Sequence, residues 1–199
     1  MKKSCLNVPN ALSILRVSLV PAFVAAALLM RDIEIWGAVV PAIIYVITAL
    51  TDMLDGKIAR KYNLVTDFGK FIDPLADKFM VLSAMTTLVV LMALRGDTTE
   101  AVVFLCVTLL ILFRELAVTS LRLVVAGKSG IVVAASIFGK LKTVSQMVGT
   151  VAIILEPALF TFDENHIIAY VLMGIMSFTT VFSGIDYMRA YLPYIDTNS

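Results

Sequence analysis

The chain has 199 residues, of which 60% are hydrophobic and 16% charged, with a formal net charge of +1 and a mean hydropathy of +0.95. A soluble domain carries about a quarter charged residues, so the composition excludes an ordinary soluble domain and points to a polytopic membrane protein. The balanced charge gives no reason to invoke nucleic acid, and Cys5 and Cys106 form neither a disulfide framework nor a metal cluster.

Long apolar runs predict six helical spans, over residues 11–30, 36–60, 68–94, 98–124, 134–158 and 166–191. The expected fold is all-α, a six-transmembrane-helix bundle. Its loops are too short for a separate soluble domain, so residues 1–199 read as a single integral membrane domain. Lys2 and Lys3 precede the first run as they would in a signal peptide. Arg16 interrupts that run and no small-residue cleavage site follows, so the segment reads as a retained helix.

Six spans put both termini on one side, together with Lys2, Lys3, Arg16, Lys57, Arg60, Lys61, Lys70, Lys78, Arg114, Arg122, Lys128, Lys140, Lys142 and Arg189. Of the 16 basic residues only Arg31 and Arg95 fall opposite. This asymmetry predicts a multi-pass cell-membrane protein with cytoplasmic termini. The opposite loops read as acidic, with Asp32, Glu34, Asp97, Glu100, Glu156, Asp163 and Glu164. His166, the only histidine, is expected at that interface, too far from the cytoplasmic side to be a catalytic base.

Asp52, Asp55, Asp73 and Asp77 break the apolar pattern. Four uncompensated carboxylates within spans would cost on the order of 10 kcal/mol, at about 2.5–3.5 kcal/mol each. Hard divalent cations are natural partners for such oxygens. Asp52 and Asp55 share one helix face, and Asp73 and Asp77 share another. The polar stretch from Lys61 to Phe68 reads as a short turn, which makes the two helices antiparallel neighbours able to converge on one or two ions near the cytoplasmic surface. Gly56 admits a close ligand, Ala59 and Gly69 allow tight helix approach, and Arg60 offers a fork for phosphate oxygens. Taken singly the acids have plainer readings. Asp73 before Pro74 could be a helix N-cap, Asp67 is read as one, and Asp52 or Asp55 could pair with Lys57, Arg60 or Lys78.

The pattern D-x-x-D-G-x-x-A-R, eight residues, then G-x-x-x-D-x-x-x-D resembles the signature of the CDP-alcohol phosphotransferase family, with every position filled. Asn7, Pro9, Asn10, Ser13, Arg16 and Pro21 resemble the N-terminal stretch of its bacterial phospholipid-synthesis members. The segments F-G-K-F-I-D-P-L-A-D-K and G-K-L-K-T-x-x-Q, with Arg114–Glu115, resemble the branch that accepts glycerol 3-phosphate. The resemblance implies transfer of a phosphatidyl group from CDP-diacylglycerol to glycerol 3-phosphate, giving phosphatidylglycerol phosphate and CMP. It implies Asp52, Asp55, Asp73 and Asp77 as ligands of two Mg2+ or Mn2+ ions, with Asp77 also the base. Gly56, Arg60 and Thr66 would hold the CDP group, joined by Asn10 and by Ser13, which stands where threonine is commoner. A homodimer is also implied. A dianionic acceptor calls for basic groups, and Arg114, Arg122, Lys140 and Lys142 occupy the cytoplasmic halves of the fourth and fifth spans. Lys140 and Lys142 could equally meet anionic lipid headgroups, and Arg114 could instead pair with a motif aspartate.

Two other readings use the same features. A cardiolipin-synthase-like or phosphatidylinositol-phosphate-synthase-like relative would take a different acceptor. An ion or proton transporter also carries intramembrane acids, though nearer the midplane of repeated or broken helices. A purely structural scaffold would not need four acids.

Overall fold

The computed structural model describes residues 8–61, 66–129, 136–159 and 166–194. Its elements are α1 (Val8–Leu29), α2 (Trp36–Lys61), α3 (Asp67–Arg95), α4 (Thr98–Ser129), α5 (Ile137–Leu159), α6 (Ile167–Tyr191) and a closing 3-10 turn (Leu192–Tyr194). The described residues are all-helical, as the apolar runs predict. Five helices are long and apolar enough to cross a membrane, and α2 contributes a shorter apolar stretch, Trp36–Thr51, before its polar end. Helix α4 continues past the expected end at 124, to Ser129.

The helix ends follow local chemistry. Thr66 caps α3, accepting a hydrogen bond from the Gly69 amide at 3.0 Å. Asp67 is therefore the first helical residue, which corrects its reading as the cap. Asp73 and Pro74 lie inside α3, so the plain N-cap explanation of Asp73 is also excluded. Ser136 caps α5 in the same way, accepting from the Gly139 amide at 3.0 Å. At the other end of α3, Gly96 adopts φ 94°, a left-handed conformation open to glycine. The Asp97 amide then bonds back to the Met92 carbonyl at 3.1 Å, and the Asp97 carbonyl accepts from Ala101 at 2.9 Å to begin α4. Two residues thus reverse the chain.

Helix α1 packs along α2 and α3, α4 packs on α3 and α6, and α5 packs on α2 and α6. Their shared core contains Phe23, Tyr45, Met85, Leu88, Phe104, Ile111, Ile153, Met173 and Met176. The outer surface carries large apolar side chains such as Leu29, Phe113, Leu123 and Phe178. Water would penalise that arrangement and lipid does not. Hydroxyls inside the helices bond to their own backbone, as Thr48 does to Ile44 at 2.7 Å and Thr108 to Phe104 at 2.8 Å, so few polar groups face hydrocarbon unsatisfied.

Candidate functional site

One end of the bundle is built from the starts of α1, α3 and α5 and the ends of α4 and α6. On α1, Asn10, Ser13 and Arg16 recur every three residues, share one face and are 1%, 0% and 1% exposed. Such polar residues stay buried only with partners. The Asn10 amide meets the Thr66 hydroxyl through both ends, with Nδ2 at 2.9 Å and Oδ1 at 3.2 Å. Ser13 donates to Asp73 Oδ1 at 2.5 Å. A hydroxyl bonded to a carboxylate contributes about 1.5–3 kcal/mol, more than a neutral pair. Helix α1 thereby fixes both the cap of α3 and the first motif aspartate on that helix, Asp73.

Gly69 makes the corner possible. A Cβ there would lie 2.8 Å from Asn10 Oδ1, 3.3 Å from Thr66 Oγ1 and 3.7 Å from Asp73 Oδ2. The missing side chain therefore leaves a small cradle edged by oxygens. Asp77 stands one turn further along α3 and is exposed, open to a ligand at the bundle end. It also interacts electrostatically with Lys142. The backbone of Asp52, Asp55, Gly56 and Arg60 is helical in α2, but their side chains lie outside the described residues. Lys78, on α3, donates from Nζ to Thr119 on α4 at 2.5 Å; its expected pairing with Asp52 or Asp55 lies outside the described residues.

A basic cluster on α4 and α5 reaches the same end of the bundle through Lys142, which interacts with Asp77. Arg114 Nη1 donates to Glu115 Oε1 at 2.9 Å, and its Nη2 donates to Ser183 on α6 at 2.5 Å. Lys142, 6% exposed, donates to the same Glu115 oxygen. Arg122 donates to the Tyr187 hydroxyl at 2.5 Å and lies 4.8 Å from the centre of that ring; Arg114 lies 5.4 Å from it. The structure thus brings Arg114, Arg122 and Lys142 together, while Lys140 is exposed two residues away, on another side of α5. Glu115 and Tyr187 are organising residues that sequence reasoning missed. Glu115 balances two cations, and Tyr187 both receives Arg122 and accepts the Ser136 amide at 3.1 Å. The pair Arg114–Glu115 hinted at the first. No spacing hinted at the second, because an aromatic near a helix end also serves as an interfacial anchor.

Oxygen donors at one corner and a guanidinium and ammonium cluster opposite suit a substrate that carries phosphate and, beside it, a hard cation. A helical membrane protein whose site suits a phosphorylated substrate beside a hard cation is the class that this fold and site define. Residues 6–182 match the family model described as CDP-alcohol phosphatidyltransferase, and the chain belongs to that family. It is similar to the CDP-diacylglycerol–glycerol-3-phosphate 3-phosphatidyltransferase of Bacillus subtilis strain 168, at 38% identity over 91% of this chain and 93% of that relative. A probable phosphatidylglycerophosphate synthase of Mycobacterium tuberculosis is 37% identical, over 94% and 82% of the two chains. A Yersinia enterocolitica protein carrying the same name as the Bacillus one is 36% identical, over 93% and 94%. The family is generally dependent on a divalent metal, and the oxygen-only donors around Gly69 fit such an ion.

Proposed function

We propose that this protein transfers the phosphatidyl group of CDP-diacylglycerol to glycerol 3-phosphate, releasing CMP and forming phosphatidylglycerol phosphate. It works as a single membrane catalytic domain whose active end faces the cytoplasm. The observation that carries this reading is the electrostatic contact of Asp77, one turn from the Ser13–Asp73 bond, with Lys142 of the Arg114, Arg122 and Lys142 cluster.

Asp73, with Asp52, Asp55 and Asp77, holds one or two Mg2+ or Mn2+ ions. An ion held by these carboxylates would supply charge neutralisation for the pyrophosphate and the departing CMP. Asn10, Ser13 and Thr66 shape the donor side of the pocket, with Gly56 and Arg60 completing it from α2. An apolar cleft of about 450 Å³, lined by Tyr45, Leu50, Val148 and Leu155 among others, runs between α2 and α5 and suits an acyl chain.

Arg114, Arg122 and Lys142 bind the acceptor phosphate and orient its glycerol. Asp77 takes the proton from a glycerol hydroxyl as the hydroxyl oxygen bonds to the phosphatidyl phosphorus. The phosphorus–oxygen bond to CMP breaks, and CMP leaves with the electron pair. General-base assistance of this kind contributes roughly 10²–10⁴ in rate. The family resemblance is what supports a homodimer.

Purified protein in liposomes with CDP-diacylglycerol, offered each alcohol in turn, tests the assignment. Glycerol 3-phosphate should release CMP, and inositol phosphate or phosphatidylglycerol should not. Release with either of the latter instead would reassign the acceptor. Ion flux without CMP release would replace the enzyme with a transporter.

A further inference from the structure

At the end of the bundle away from the aspartate motif, three helix ends bring together groups that the proposed reaction does not use. Asp97 forms the α3–α4 turn, Glu100 lies in the first turn of α4, and His166 stands at the N-cap position of α6 without a side-chain capping bond. Each offers a ligand atom, and the three atoms lie within 4.8 Å of one another. Glu156, near the end of α5, adds a carboxylate oxygen 3.5 Å from His166 Nδ1. Glu100 and Glu156 are 4% and 3% exposed, so both belong to the helical core and not to the acidic loops expected there.

Their partners do not account for them. Glu156 Oε1 accepts the Ala169 amide at 3.3 Å, helping to cap α6. Among the described residues, Glu100 Oε1 and His166 Nδ1 are buried with no hydrogen-bond partner. His166 Nδ1 lies 4.0 Å from Glu100 Oε2, and Nε2 lies 3.9 Å from Asp97 Oδ2, both beyond hydrogen-bond reach. Arg95 adds some positive field from the exposed end of α3. Even a protonated imidazole and that arginine leave two carboxylates buried side by side, with an orphaned oxygen between helices. A cation in the site would neutralise both carboxylates and engage the orphaned oxygen.

We infer that Asp97, Glu100 and His166, with Glu156 beside them, form a second divalent-cation site, distinct from the catalytic one and structural in role. One imidazole nitrogen among carboxylates favours a transition ion such as zinc or manganese over magnesium or calcium. Ligand atoms around such an ion, at about 2.0–2.2 Å from it, stand roughly 3–4 Å apart. The site therefore closes by about 1 Å around its ion. The bound ion would tie the α3–α4 turn to the ends of α5 and α6, holding the bundle at the end opposite the chemistry.

Zinc is the probe, because it binds such ligands more tightly than manganese or ferrous iron. Full-length protein in detergent is stripped with chelator, dialysed against zinc, and assayed for zinc per chain and for thermal unfolding. Wild type should hold one equivalent more than His166→Ala and Asp97→Asn, and zinc should raise its unfolding temperature by several degrees more than theirs. Asp97→Asn alters a partly exposed turn residue, so it still decides the outcome if His166→Ala fails to fold. Equal zinc content in wild type and the folded variant, or no rise specific to wild type, would overturn the site. Neither readout uses the transferase reaction, so this result stands apart from the fate of that assignment.

Discussion

Ser13 on α1 and Asp73 on α3, 60 residues apart in the chain, share a 2.5 Å hydrogen bond at the acidic end of the bundle. The bond orients Asp73 Oδ1 and leaves Oδ2 toward the space above Gly69. Its loss frees the carboxylate to rotate away from the cradle. Ser13→Ala should therefore lower turnover about tenfold or more, in line with about 1.5–3 kcal/mol for a charge-assisted bond. Ser13→Thr keeps the hydroxyl and should retain most activity. Steady-state CMP release by the two variants checks this, and equal activities would dissociate the bond from function.

Asp77→Asn should reduce CMP release by roughly 10²–10⁴ while CDP-diacylglycerol binding remains measurable. The amide preserves size and removes the proton acceptor. Its exposed position on α3 makes misfolding a poor explanation for such a loss. Near-normal turnover in this variant would mean that another group takes the proton.

The acceptor cluster predicts a split between the two substrates. Arg122→Ala should raise the KM for glycerol 3-phosphate at least tenfold and leave that for CDP-diacylglycerol within about twofold, as loss of one charged hydrogen-bond donor implies. Tyr187→Phe keeps the ring beneath both arginines but removes the hydroxyl that receives Arg122 and the Ser136 amide. A smaller rise, in the same direction, is expected. Parallel rises for both substrates would place the cluster outside the acceptor pocket.

The helices were legible because each is a long apolar run, and the spans read from sequence fall within a few residues of α1 to α6. Ends were less so. Thr66 caps α3 although Asp67 looked the better cap, since both types cap well and sequence alone does not say which carbonyl begins the helix. The acids on α3 stood out because charge is rare in such a chain, and α1 brings Ser13 to Asp73 through a contact that no local period encodes. Tyr187, the Lys142 partner of Glu115 and the Glu100–His166 group were hidden for the same reason. Their meaning comes from neighbours on other helices, which only the packing of α4, α5 and α6 brings together.

The most direct test is the product itself. Purified protein in liposomes receives CDP-diacylglycerol and glycerol 3-phosphate, and CMP and the new lipid are quantified by mass spectrometry before and after EDTA and again after Mg2+ or Mn2+ is restored. Equal amounts of CMP and phosphatidylglycerol phosphate, lost with chelation and regained with either ion, are the expected result. Undiminished turnover in EDTA, or CMP without phosphatidylglycerol phosphate, would contradict the account.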